Sequence, residues 1–166
     1  MRKLGVNVAA ATMAVLCLVG QARAAGNDCW SSQEAAAAKI RNLQSMLMVA
    51  ALRCHGSEVD VLADYNRFVN ANRATIVQAN NSLKSYFTRT SGAAEGQRRY
   101  DRFTTALANT FGAGGSDGET CSNMASIART AQDAGGSFAQ LVQIADREGL
   151  EPAMPTLNCP MTFAAK

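Results

Sequence analysis

Cys54 and His55 stand side by side in the stretch LRCHGSEVD, and His55 is the single histidine of the 166-residue chain. A thiol next to an imidazole suggests a nucleophile with its base, half of a haem-attachment motif, or two metal ligands. Each reading needs more than adjacency. A catalytic dyad needs facing side chains, whereas neighbours on a helix point about 100° apart. Covalent haem attachment needs Cys-x-x-Cys-His, and the run Ala51-Leu52-Arg53-Cys54-His55 lacks the first cysteine. His55 as an axial haem ligand, opposite Met46, Met48, Met124, Met154 or Met161, is the remaining variant. Methionines at helical spacing serve more often as core filler than as ligands.

Other chemical signatures are missing. There is no His-Glu-x-x-His and no Gly-x-Ser-x-Gly. The glycine-rich GAGGSDGE (112–119) has no Gly-Lys-Ser/Thr after it and no strand pattern before it, so it reads as a linker rather than a phosphate loop. Asn80-Asn81-Ser82 matches a glycosylation sequon but falls in the middle of a helical pattern. No catalytic, cofactor-binding or metal-ligating residue is therefore assigned, and a non-enzymatic protein is expected.

The N-terminus restricts the compartment. MRKLGVNVAAATMAVLCLVGQARA opens with two basic residues, continues with an apolar run from about Val6 to Val19, and ends in Ala22-Arg23-Ala24. That is the three-part layout of a secretory signal, of bacterial appearance, with cleavage expected after Ala24. The apolar run is short of the ~20 residues a membrane span requires. The expectation is an exported protein, periplasmic or extracellular, with no membrane span once the signal is removed. Arg2, Lys3 and Arg23 would leave with it, as would Cys17, so the whole-chain charge of +3 becomes 13 basic against 13 acidic residues. A neutral chain gives no bulk attraction to nucleic acid or anionic lipid. Arg98, Arg99 and Arg102 form the densest basic patch and are the candidate interaction surface, with pairing to acidic helix neighbours as the simpler role.

Four helices account for the rest. Abundant alanine, few aromatics and the placement of all three prolines at or beyond Pro152 favour helix over sheet. The first predicted helix runs from about Ser31 to His55, with Ile40, Leu43, Leu47, Ala50 and Cys54 on one stripe. Gly56 closes it, and Ser57 with Asp60 reads as the cap of the second, about Glu58 to Thr88. That second helix repeats Leu62, Val69, Ile76 and Leu83 in heptads, with Asn72 on the inner stripe as a register-fixing polar residue. The third covers about Ala94 to Phe111. The fourth runs from about Asp117 to Glu148, opened by a Ser116–Glu119 capping box and interrupted at Gly135-Gly136 by a break or an unusually close neighbour. Residues 25–148 would form the bundle, and 149–166 an extended tail tied down by Cys159.

The cysteines test that topology. Four remain after signal removal, allowing three pairings. Cys29 and Cys54 bracket one helix and would lie about 37 Å apart, far beyond the ~7 Å a disulfide tolerates. An up-down bundle brings the end of the first helix to the start of the fourth, and the tail back to the start of the first. The expected pairs are Cys54 with Cys121 and Cys29 with Cys159. The overall expectation is an all-α, up-down bundle of about four helices, stapled by two disulfides, that binds an unidentified protein or envelope partner. The rival is a carrier of a small apolar ligand or haem, using Asn72, His55 and the Gly135-Gly136 gap.

Overall fold

A computed structural model describes residues 29–152. Residues 1–28, which include the expected signal segment, and residues 153–166, with Cys159, Met154 and Met161, lie outside the described residues. Those described are all helical, with six helices and no strand: α1 (Ser32–Arg53), α2 (Leu62–Ala71), α3 (Arg73–Ser91), α4 (Ala93–Gly112), α5 (Gly118–Asp133) and α6 (Phe138–Arg147).

Ser31 opens α1 with a full capping box. Its hydroxyl accepts the Glu34 N–H while the Glu34 carboxylate accepts the Ser31 N–H at 2.7 Å. The same carboxylate meets Arg89 at the end of α3 at 2.6 Å, joining two helix ends. Half of the residues of α1 are buried, among them adjacent positions such as Ala37-Ala38 and Leu43 with Asn42, so more than one face is covered. It contacts all five other helices. A helix apolar on a single stripe packs on one side; α1, rich in alanine and leucine, serves as the axis around which the others pack.

Two of the four predicted helices are each divided, which corrects the expected count. The pattern from Glu58 to Thr88 is broken at Asn72, whose φ of −113° and ψ of 16° leave helical geometry. The pattern from Asp117 to Glu148 is broken at Gly135 and Gly136, with φ of +55° and +87°. Two successive positive φ values cannot continue a right-handed helix. The two breaks are bonded to each other. The Asn72 amide nitrogen donates to the carbonyls of Phe68 (2.9 Å) and Ala131 (2.8 Å), and its oxygen accepts the Gly136 N–H at 2.8 Å. Asn72 is fully buried, so these three bonds satisfy a group that would otherwise destabilise the core. As a result α2 lies on α5, while α3 turns onto α1 and α4.

Starts also differ in detail. Ser57 does not cap the second helix: its hydroxyl donates within the turn to Cys54 and Val59 carbonyls, and α2 begins only at Leu62, whose N–H is accepted by Asp60. At α5 the cap is Asp117, which accepts the Thr120 N–H at 2.8 Å, rather than Ser116.

Between α3 and α4 the connection is Gly92 alone, at φ +76°, and the hairpin closes tightly. An aromatic cluster fills its interior: Phe87 stacks near Tyr86, Tyr100 and Phe103, and Trp30 meets Tyr86 and Phe103 edge-on at 5.5 and 5.6 Å. At the other end of the molecule Cys54 and Cys121 are joined, with Cα atoms 5.8 Å apart. One disulfide is thus present among the described residues where two were expected overall. Cys159, the expected partner of Cys29, lies outside them.

Candidate functional site

The opening pair is a corner. Cys54 is buried and oxidised, so it offers no thiolate. His55, with a side chain 67% exposed, turns outward to Asp60, its Nδ1 3.2 Å from the carboxylate. The Leu62 N–H, more than His55, holds the Asp60 carboxyl below its ordinary range. Gly56 at φ +73° completes the turn. The three features that would serve a ligand in the bundle interior do not converge: Asn72 and Gly136 bond one another, and His55 lies on the surface at the far end of α1. No cluster of three or more His, Cys, Asp or Glu residues suited to a metal occurs among the described residues.

Arg98, Arg99 and Arg102 do come together, around Glu95. Arg98 Nε is 2.8 Å, Arg99 Nε 3.4 Å and Arg102 Nη2 2.7 Å from its carboxylate oxygens. Hydrogen bonds from Arg102 and then Arg98 hold the Glu95 carboxyl down to about 2. All three guanidinium side chains remain more than half exposed. The patch is therefore a four-residue network on the first three turns of α4 with two net positive charges.

The glycine-rich loop lies at the other end of α4, and a helix of this length spans about 30 Å. The two features thus face opposite ends of the molecule. Arg53, from the last turn of α1, reaches across to the loop: its guanidinium donates to the Phe111 carbonyl at 2.9 Å and to the Gly115 carbonyl. Any side chain at Gly114 would collide with that guanidinium. Downstream, the Thr120 N–H and hydroxyl both donate to Asp117, holding its carboxyl below the usual range. The disulfide then ties the first turn of α5 to the end of α1.

These contacts border an open-mouthed pocket of about 220 Å³. Met46, Ala50, Phe111 and Met124 supply apolar walls, with Arg53 and Thr120 at the polar side. Neither Arg53 nor the pocket was assigned from the sequence. A basic residue in a last helical turn is common, and Arg53 and Phe111, 58 positions apart, leave no local trace of their meeting. Glu95, by contrast, stands three, four and seven positions before its three arginines, a spacing that places them on one helix face.

Among the described residues, no helix is long and apolar enough to cross a membrane. No protein family, curated protein or solved structure matches the chain.

Proposed function

We propose that the chain works outside the cytoplasm as a non-catalytic binding protein that contacts another protein or an envelope component through its disulfide-locked end. The observation that carries this reading is the pinned loop over 113–117. Loops usually carry recognition, and a loop already held in one shape loses less entropy on binding. Here Arg53 donates to the Gly115 carbonyl and to the Phe111 carbonyl just before the loop, Asp117 caps the helix that follows, and the Cys54–Cys121 bond ties that helix to the end of α1.

The extracytoplasmic placement draws support from the leader-like first 24 residues and from the structural disulfide, a type of bond that persists in oxidising compartments. The same reading includes the pairing of Cys29 with Cys159, which would tie the tail to the start of α1.

The test is photo-crosslinking in the native envelope with the wild-type chain, with an Ala113→Glu/Ser116→Glu variant of the exposed loop, and with Val77→Glu on the exposed face of α3 as control. A crosslinked species present in wild type and control, and lost in the loop variant, is the expected result. An identical crosslinking pattern for all three chains would remove the loop from the binding site.

A further inference from the structure

The pocket beneath the pinned loop has a chemistry of its own, independent of any macromolecular partner. Its volume, about 220 Å³, exceeds that of a cavity of about 150 Å³ that admits benzene. One ring with a short chain fits such a space. The walls contributed by Met46 and Met124 are flexible thioethers that adapt to a guest better than branched side chains do. Phe111 and Ala50 complete an apolar lining, and Cys54 borders it.

Arg53 supplies the polar side. A guanidinium has five N–H donors, and two are used on the Phe111 and Gly115 carbonyls. Arg53 has no carboxylate within ion-pair distance among the described residues, a state it shares with Arg41, Arg73 and Arg147, but of these four it alone lines this pocket. The acid of the same loop, Asp117, is engaged by Thr120. An uncompensated guanidinium, already fixed in position at the edge of an apolar pocket, selects a carboxylate joined to an apolar body.

We infer that this pocket binds a small amphipathic monocarboxylic acid, with its apolar body between Met46, Ala50, Phe111 and Met124 and its carboxylate on Arg53. The acid replaces water on the free guanidinium donors without breaking the contacts that hold the loop.

The experiment is a titration of the oxidised full-length protein, isotopically labelled at the methionine methyl groups, followed by two-dimensional NMR. The probes are 3-phenylpropionate, the neutral 3-phenylpropan-1-ol of the same shape, and acetate. The acid should shift the Met46 and Met124 methyl signals saturably, with a Kd on the order of 1 mM or tighter. The alcohol should bind about fivefold more weakly, since it lacks the charge-assisted bond, and acetate should leave both signals in place. Arg53→Gln should reduce the acid to the affinity of the alcohol. Absence of a saturable shift overturns the site, and an alcohol that binds as tightly as the acid overturns the role of Arg53. Should Arg53→Gln fail to fold, the acid-to-alcohol ratio in the native sequence decides by itself.

Discussion

Replacing Gly96 by alanine tests the packing of the α3–α4 hairpin directly. A Cβ on Gly96 would lie 2.7 Å from the Phe87 carbonyl oxygen, 2.7 Å from Thr88 Cα and 2.8 Å from the Phe87 carbonyl carbon. All three are backbone atoms of α3, so no rotamer change relieves the contact. Restoring a separation of about 3.5 Å requires the helices to part by about 0.8 Å. That gap opens beside Phe87 and Tyr100, both buried in the aromatic cluster. Overpacking of this kind costs about 1–3 kcal/mol, and here the upper end applies because the obstacle is a helix backbone. Alanine recovers up to about 1 kcal/mol of helix propensity over glycine. The net expectation is a loss of about 2 kcal/mol, seen as a fall in Tm of about 8 °C for a domain of this size. Gly112 lies on the same helix with nothing within 4 Å of its Cβ position. Gly112→Ala should therefore leave Tm unchanged or raise it slightly. Thermal unfolding of the two variants side by side, followed by circular dichroism with the disulfide intact, separates steric contact from propensity. If Gly96→Ala proves as harmless as Gly112→Ala, the helices do not touch backbone to backbone and the reasoning fails.

Three further outcomes are expected. Asn72→Ala strands the Ala131 carbonyl and the Gly136 N–H in a buried corner and should lower unfolding free energy by about 3 kcal/mol, whereas loss of less than about 1 kcal/mol in urea titrations would mean the two helix breaks do not depend on each other. The Cys54–Cys121 bond closes a loop of 67 residues, so the Cys54→Ala/Cys121→Ala variant should lose about 4 kcal/mol in the chain-entropy account; non-reducing peptide mapping must also recover these two cysteines in one linked fragment. Glu95, at about 2 instead of 4.5, contributes stability that is present above pH 4.5 and is lost as pH falls from there through 2; because the arginines are exposed, its carboxyl midpoint followed by NMR should move upward in 1 M salt, and a midpoint indifferent to salt would contradict the ion-pair origin.

Much of the local architecture was legible in order along the chain. The first helix ends within two residues of its expected boundaries because Ser31 and Gly56 carry their signals locally, through a hydroxyl that caps and a backbone that tolerates positive φ. The third predicted helix and α4 agree within one residue at each end, with Gly92 at φ +76° separating α4 from α3 in place of a side-chain cap. Helix length used as a ruler excluded Cys29–Cys54 and the expected up-down order then selected Cys54–Cys121; the pairing survives the correction from four helices to six because the two breaks do not move the ends of α1 or the start of α5. The arginine cluster was read as a surface with helix pairing as its simpler role, and Glu95 is the pairing partner.

What the amino-acid sequence determined by itself was helical class, the Ser31 cap of α1 and the disposition of Cys54 toward Cys121, since each depends on periodicity, a single residue type or a length. Only the tertiary structure decided that Asn72 and Gly136 meet, that Gly96 touches the backbone of α3, and that Arg53 holds the loop over an apolar pocket. The first and the third share a physical reason. A heptad pattern records which side of a helix is apolar, but an amide 64 residues from its partner, or a guanidinium 58 residues from a carbonyl, leaves no mark until the chain has folded. The Cys54-His55 pair that first suggested chemistry is a turn anchored by a disulfide, and the residue before it, Arg53, supplies the charged group that lines the pocket.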